Sequence, residues 1–320
     1  MDLTDLFIDH DRLRPIWRFF VCLVILFLFG RLSREIFATV VLLSKVHLSG
    51  ITTMLWGGLR ALIVILATFK LMTAVFDRRP LGSVGLAFHS HWWKELAHGL
   101  AVGGAMLSAA VALEWCCGFV HFTFVPHPVA WAGLLGFVLF AVAATNEEAI
   151  FRGYPFQCLV ASITPLGAVA VTSAFFGAAH LGNPHRTWIS TINTMLVGVP
   201  FAIAFLRTRS LWMPIGMHFI WNFLLDFIFG LPVSGLNMTA SVLTARVQGP
   251  TWLTGGDYGP EGSLLATIAI LLGTLYLAFA RSIYTSEEMK ALVSAPAVLH
   301  SPESPITILS TSLDEGMKMD

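Results

Sequence analysis

Residues 131–156 read WAGLLGFVLFAVAATNEEAIFRGYPF. In this stretch a long apolar run, typical of a membrane-spanning helix, ends in two adjacent glutamates and an arginine. A charged side chain at bilayer depth costs about 2.5–3.5 kcal/mol on insertion scales, and two neighbouring carboxylates repel each other. A chain that puts Glu147, Glu148 and Arg152 here therefore needs a chemical reason for doing so.

The composition of the whole chain supports a membrane setting for this stretch. Of its 320 residues, 56% are hydrophobic and only 12% are charged, whereas soluble domains carry about 25% charged residues. The net charge is zero, which argues against a nucleic-acid partner because phosphate binding needs a basic face. The four cysteines have neither disulfide-framework nor zinc-ribbon spacing, so we interpret them as small apolar packing residues.

Apolar runs of the length needed to cross a bilayer recur along the chain. They predict spans at 51–72, 96–117, 129–147, 164–180, 188–206, 211–229 and 263–281. In the region 15–48 the apolar run is interrupted by RLSRE, and we predict a single span there. The expected fold is an all-α bundle of about eight transmembrane helices. Residues 1–76 would be N-terminal membrane segments, and the polar, proline-punctuated residues 282–320 a disordered cytoplasmic tail.

The distribution of basic residues predicts the orientation in the membrane. The loop DRRPLGSVGLAFHSHWWKE contains Arg78, Arg79 and Lys94, whereas FVHFTFVPHP after the next span contains no lysine or arginine. Cytoplasmic loops carry the excess of these residues, so we expect both termini in the cytoplasm and the loop 230–262 outside. Glu147 is then expected near the cytoplasmic face.

Three polar islands interrupt the apolar helices, and the first contains the two glutamates. Glu148 and Arg152 are four residues apart, share a helix face and can form an ion pair. Glu147 points about 100° away from Glu148. One carboxylate can therefore be neutralised while its neighbour remains free to act as a base.

The second and third islands contribute histidines and an amide. His180 closes the apolar stretch SAFFGAAH, and HFIWN puts His218 and Asn222 four residues apart on one helix face. Each island also has a purely structural interpretation, as a satisfied buried histidine, a charge-balancing pair or a polar stripe that joins helices. Three successive islands that carry the groups needed for hydrolysis favour a common function.

The chemistry that these groups could perform is water-mediated amide hydrolysis. A glutamate in a partly dehydrated cavity is an effective general base, a histidine beside it can help to polarise the water, and His218 with Asn222 can donate to the oxyanion. A covalent route is disfavoured because no G-x-S-x-G elbow or Cys/His arrangement is present.

Other chemistries remain open at this level. Glu147, Glu148, His180 and His218 could also supply zinc ligands, but H-E-x-x-H and its relatives are absent, so we favour a mechanism without cofactor. A transporter with a midplane ion site and a non-catalytic immunity or scaffold protein are the rival functions.

The order EEAIFR, FGAAH, HFIWN resembles the three-motif pattern of the CAAX protease and bacteriocin-processing (Abi) family, over about residues 80–281. The resemblance implies an intramembrane endopeptidase core at 77–281, related to type II CAAX prenyl proteases and generally metal-independent. By motif position it implies Glu147 as the base, His180 as its assistant, His218 and Asn222 as the oxyanion site, and Glu148 and Arg152 as supporting residues. It also implies a membrane-associated protein or peptide substrate and, we expect, the plasma membrane of a prokaryote.

Overall fold

The computed structural model describes residues 6–9, 12–45, 47–126, 130–237 and 240–294, and these are largely helical. The helices are α1 (Pro15–Ser44), α2 (Gly50–Met72), α3 (Trp92–Cys116), α4 (Ala130–Arg152), α5 (Tyr154–Ser162), α6 (Pro165–Ala179), α7 (Trp188–Thr208), α8 (Trp212–Phe223), α9 (Thr251–Thr254), α10 (Leu264–Phe279) and α11 (Glu287–Ser294). Single π-helical turns, Thr73–Asp77 and Leu224–Ile228, extend α2 and α8.

Every predicted span contains a helix, and the predicted all-α membrane class is confirmed. Within the described ranges, five helical segments are long and apolar enough to cross a bilayer: α1, α2 with its π turn, α3, α4 together with α5, and α7. The helices α6 and α10 are apolar but have only 15 and 16 residues. Fewer segments than the expected eight thus meet a full-span length. The region 15–48 forms one 30-residue helix, α1, as predicted.

Glycines bring α3 and α8 into close contact. A Cβ at Gly99 would lie 2.1 Å from the carbonyl oxygen of Met213, and one at Gly103 would lie 2.5 Å from that of Met217. Only glycine allows two helix backbones to approach so closely, and dispersion then holds them without a hydrophobic driving force. This packing fixes the axial position of α8 and with it the position of His218.

A second close contact joins α6 to α7. A Cβ at Gly177 would clash with the side chain of Met195 at 2.3 Å, and one at Gly198 would lie 2.8 Å from Ser173 Oγ. The two helices run antiparallel, and α6 ends at Ala179. The small residues therefore hold His180, the next residue, against the centre of the bundle.

Two short β-ribbons were not predicted. The strands β1 (Ile8–Asp9) and β2 (Arg12–Leu13) pair near the N-terminus. The strands β3 (Val120–Phe124) and β4 (Leu243–Val247) pair antiparallel across more than 100 residues of chain. Each of these strands has five residues or fewer, too short for a periodic pattern, so only the tertiary pairing reveals them.

The predicted disordered tail is wrong over residues 287–294, which form α11. Met289 is fully buried, and Glu288 Oε2 accepts a hydrogen bond of 2.7 Å from the backbone N–H of Ser90. Ser286 Oγ accepts from the N–H of Met289 at 3.2 Å. One buried side chain, one tertiary hydrogen bond and one local hydrogen bond leave no apolar period in the sequence. The prediction for 295–320 lies outside the described residues.

Candidate active site

The two adjacent glutamates have different surroundings. The Glu148 side chain is completely buried, and its two oxygens lie 3.2 and 3.1 Å from Nη1 of Arg152, one helical turn later. Glu148 Oε1 also accepts a 2.8 Å hydrogen bond from Nδ1 of His218. The Glu147 side chain is 35% exposed. Glu148 is therefore paired with Arg152, as the helical spacing predicted, whereas Glu147 is partly exposed; its role as a base stays a prediction.

Arg152 is completely buried between helices. Its Nη2 donates to the carbonyl oxygen of Gly198 at 3.1 Å, and its guanidinium lies 4.7 Å from the ring centre of Phe176 and 5.2 Å from that of Phe201. A buried cation is tolerated only when it is paired and hydrogen-bonded, and cation–π contacts add to this. Arg152 therefore links α4, α6 and α7 around the carboxylate of Glu148.

Both histidines have their Nδ1 atoms engaged and their Nε2 atoms directed at Glu147. His180 Nδ1 lies 2.8 Å from the carbonyl oxygen of Phe176, which only accepts, so this nitrogen carries a proton. His218 Nδ1 is bonded to Glu148, and its ring stacks on Phe201 at a centroid distance of 5.3 Å. These contacts fix both ring orientations, as second partners of functional histidines generally do.

The three motifs converge on one carboxylate oxygen. Glu147 Oε2 lies 3.9 Å from His180 Nε2 and 3.9 Å from His218 Nε2. Each separation is longer than a hydrogen bond but shorter than twice the usual hydrogen-bond length of about 2.8 Å. One water molecule can therefore contact the carboxylate and an imidazole at the same time. Glu147 Oε2 is buried and has no hydrogen-bond partner among the described residues.

These groups border a cavity of about 460 Å³. Its wall includes Glu147 from α4, His180 from the end of α6, and His218 and Asn222 from α8, so all four residues proposed as catalytic meet the same space. Most of the remaining wall is apolar or aromatic. The cavity is large enough for several peptide residues, since ligand pockets have volumes of about 300–1,000 Å³.

A family model described as Rce1-like, type II CAAX prenyl endopeptidase Rce1-like, matches residues 129–224, the segment from α4 to the end of α8 that holds all three motifs. This match supports the assignment of the chain to the CAAX protease family. No curated protein and no solved structure matches it. The recognition made from the motifs is thus confirmed. Together with the apolar helices, the match supports an integral membrane protein of the CAAX-type endopeptidase class, a class that acts on peptide substrates in a lipid bilayer.

One acidic residue of the candidate site was missed by sequence reasoning. Glu261, in the loop before α10, lines the same cavity. Its Oε1 accepts 3.0 Å from Nε1 of Trp221, and its Oε2 accepts 2.9 Å from Oγ of Ser234. Burial raises the pKa of Glu261 above its ordinary value. A lone glutamate in a Gly- and Pro-rich loop has no partner at helical spacing, so the sequence contained no signal for it.

The zinc alternative requires ligand atoms that other contacts in the site already occupy. The oxygens of Glu148 are taken by Arg152 and His218, which leaves Glu147 and two imidazole Nε2 atoms. In the part of the chain that the structure describes, no group of three or more His, Cys, Asp or Glu side chains is arranged to hold a metal ion. Independence from cofactors stays a prediction.

Proposed function

We propose that this CAAX-type endopeptidase is of the glutamic type and hydrolyses a peptide bond with a water molecule activated by Glu147 and His180. The observation that supports this best is the pair of 3.9 Å separations from Glu147 Oε2 to the two imidazole Nε2 atoms. A water held between them faces a cavity that can receive a peptide. The substrate carbonyl carbon would lie on the far side of that water.

The reaction begins with the transfer of a water proton to Glu147. The water oxygen bonds to the carbonyl carbon, and the carbonyl π electrons move to its oxygen to form a tetrahedral oxyanion. When the C–N bond breaks, the proton passes from Glu147, directly or through His180 Nε2, to the leaving nitrogen. The products are a new carboxyl terminus and a new amine, and the enzyme regains its starting protonation.

His218 and Asn222 are assigned to the oxyanion. In its doubly protonated form, His218 donates from Nδ1 to Glu148 and from Nε2 toward the cavity. The amide of Asn222 lies one turn later on the same wall. Each such donor contributes about 3–4 kcal/mol to the transition state in measured cases.

Glu148 and Arg152 act as positioning residues in this scheme. Glu148 orients the His218 ring through Nδ1, and Arg152 neutralises Glu148 and ties it to α7. Carboxylates that orient a catalytic histidine do not need to change protonation themselves. The scheme therefore needs no buried proton transfer between the two glutamates.

The proposal includes a metal-free mechanism, because Glu148 is committed to Arg152 and cannot also serve a metal. The test is proteolysis by purified protein after dialysis against a strong chelator. Unchanged activity is expected. Activity that is lost with chelator and returns with zinc would favour the metalloprotease alternative instead.

The substrate is proposed to be a membrane-associated protein or peptide, with prenylated C-terminal sequences and bacteriocin-type precursors as the two chemical classes that the family suggests. We also propose the plasma membrane of a prokaryote and cytoplasmic termini, since the basic loops favour that orientation.

Comparison of membrane proteomes tests the function as a whole. Cells with the wild-type protein are expected to contain a peptide fragment that is missing from Glu147→Ala and His180→Ala cells, although all three proteins are inserted at equal levels. If the same fragments are present in all three strains, the catalytic assignment is wrong. Protection or binding that persists in both variants would point to the scaffold function.

A further inference from the structure

We infer that Glu261 is a positioning residue for the reaction: it holds Trp221, and through it Asn222 of the oxyanion site, in the geometry that hydrolysis needs. The inference rests on the proposed protease function, and it gives a role to an acidic residue that the reaction scheme leaves unused. Glu261 lies in the short turn Pro260–Gly262, just before α10, and lines the same cavity as Glu147.

The backbone of Glu261 is fixed to two helices by the side-chain amide of Asn193. Asn193 belongs to α7, is 2% exposed and donates from Nδ2 to the carbonyl oxygens of Glu261 and Ser263, at 2.8 Å in both cases. Its Oδ1 accepts a 2.7 Å hydrogen bond from Oγ1 of Thr267 in α10. Both amide hydrogens and the amide oxygen are therefore in use. The turn that carries Glu261 thus has a defined position against α7 and α10.

The carboxyl group of Glu261 faces two groups that can only donate. Nε1 of Trp221 donates to Oε1 at 3.0 Å, and the backbone N–H of Ser234 donates to Oε2, which also accepts from Ser234 Oγ at 2.9 Å. An indole N–H and a backbone N–H each need an acceptor, and a carboxyl group supplies one on each of its oxygens. A glutamine has a single oxygen, so one of the two N–H groups would lose its partner. The surroundings therefore favour an acid at position 261.

These contacts distinguish Glu261 from the general base. Both oxygens of Glu261 accept from protein donors, whereas Glu147 Oε2 has no hydrogen-bond partner among the described residues. A general base needs an oxygen that can take a proton from water, and Glu147 has one. Glu261 therefore acts through the groups that it holds.

Trp221 connects Glu261 to the oxyanion site because it directly precedes Asn222 in α8. Successive helical residues point about 100° apart, so an indole ring held in place sets the direction of the Asn222 amide. Support is needed here because α8 ends at Phe223 and continues as the π-helical turn Leu224–Ile228, where the α-helical hydrogen-bond pattern changes. Trp221 and Asn222 both line the cavity and are at most 9% exposed. The hydrogen bond to Glu261 thus holds this end of α8 at the cavity.

The second partner of Glu261 belongs to a different part of the cavity wall. Ser234 lines the cavity together with Val233 and Leu236, and it has a φ of +50°, in the left-handed region. A residue other than glycine keeps this conformation only when its surroundings support it, and Glu261 does so through the backbone N–H and Oγ. Loss of Glu261 should therefore change two properties: turnover through Trp221, and substrate binding through the wall.

Steady-state kinetics of the purified enzyme separate these two effects. The probes are a quenched fluorescent peptide that ends in a farnesylated cysteine and three further residues, and the peptide that spans the cleavage site found by the proteome comparison. Trp221→Phe keeps a ring but loses the N–H, so kcat should fall by about 3–10-fold while KM stays within about twofold of wild type. Glu261→Ala should lower kcat by about 10–100-fold and also raise KM. Glu261→Gln keeps one acceptor, so its kcat should lie between those of Glu261→Ala and wild type.

A double variant shows whether the two residues act as a unit. Trp221→Phe added to Glu261→Ala should lower kcat by less than about twofold more, because the hydrogen bond is already lost. The matched controls are Asp257→Asn, whose side chain is 88% exposed in the same loop, and Trp252→Phe, at a residue that is 51% exposed. Neither is among the described residues that line the cavity, and both variants should keep the wild-type kcat and KM.

Hydrogen–deuterium exchange gives a second readout that needs no substrate. Glu261→Ala should increase exchange in residues 217–228 and 231–236, and Trp221→Phe only in the first of these segments. The expected exchange pattern in an enzyme that cleaves neither probe would count against the protease function while supporting the anchoring of Trp221 by Glu261.

Two results would overturn the inference. A lower Tm for Glu261→Ala and Trp221→Phe with kcat values like those of the controls, or full additivity in the double variant, would leave Glu261 a purely structural residue. A loss of kcat in Glu261→Ala as large as that in Glu147→Ala, with a changed pH profile, would make Glu261 a direct participant in proton transfer.

Discussion

The adjacent glutamates give the sharpest test, because the same substitution should lower stability at one position and proteolysis at its neighbour. Glu148→Gln keeps the size of the side chain but leaves the completely buried Arg152 without its counter-charge. Removing one partner of a buried ion pair costs about 3–5 kcal/mol of folding free energy. At roughly 2 °C per kcal/mol for a chain of this size, the Tm should fall by about 6–10 °C. The assay is thermal unfolding in detergent, monitored by intrinsic fluorescence.

Glu147→Gln is the matched control. Its side chain is partly exposed, and its Oε2 has no hydrogen-bond partner within the described residues, so stability should change by no more than about 0.5 kcal/mol. Proteolysis, however, should fall by about 10²–10⁴-fold because the general base is lost.

A double variant completes the test. Glu148→Gln combined with Arg152→Met removes both charges, and it should recover part of the stability that Glu148→Gln alone loses. The division of the pair into a structural and a catalytic carboxylate would be refuted if Glu147→Gln and Glu148→Gln lowered the Tm equally. An unchanged Tm for Glu148→Gln would refute it as well.

Three further outcomes are expected. His218→Ala and Asn222→Ala should each lower kcat, and Asn222→Ala should lower it by about 10²–10³-fold without loss of folding. Single-turnover kinetics would measure the decrease. An unchanged kcat for Asn222→Ala would show that Asn222 is not part of the oxyanion site. Gly99→Ala should lower Tm because its Cβ would lie 2.1 Å from a backbone carbonyl oxygen, whereas Gly104→Ala, with its nearest contact at 3.6 Å, should leave Tm nearly unchanged. Burial raises the pKa of Glu261, so ionisation of this side chain opposes folding. The wild type should therefore lose stability relative to Glu261→Gln as the pH rises from about 4.3, the ordinary pKa of a glutamate, through the raised pKa. Denaturant titrations of both proteins at pH 4.5 and 8 would measure this, and a stability difference that is the same at both pH values would contradict it.

The positions of the helices could largely be predicted because membrane insertion acts locally. A run of about 20 apolar residues satisfies its backbone internally and favours lipid whatever the rest of the chain does. The predictions failed where stability comes from distant partners. The helix α11 depends on Ser90 and a buried Met289, and the ribbon of β3 and β4 joins segments more than 100 residues apart.

The candidate site divides in the same way. The i,i+4 pair of Glu148 with Arg152 follows from helical spacing alone. Glu261 could not be found, because the partners that hold it at the cavity, Trp221 and Ser234, are 40 and 27 residues away in sequence.

By itself, the sequence determined that the protein is a helical membrane protein and which side chains are chemically available, since composition and local spacing carry that information. Only the tertiary structure decided that Glu147 faces both imidazoles while Glu148 is buried with Arg152, and that Glu261 lines the same cavity. Those properties depend on how far helices slide and rotate against one another. Glycine contacts between distant segments, such as Gly99 with Met213, set that packing, and no local pattern encodes it.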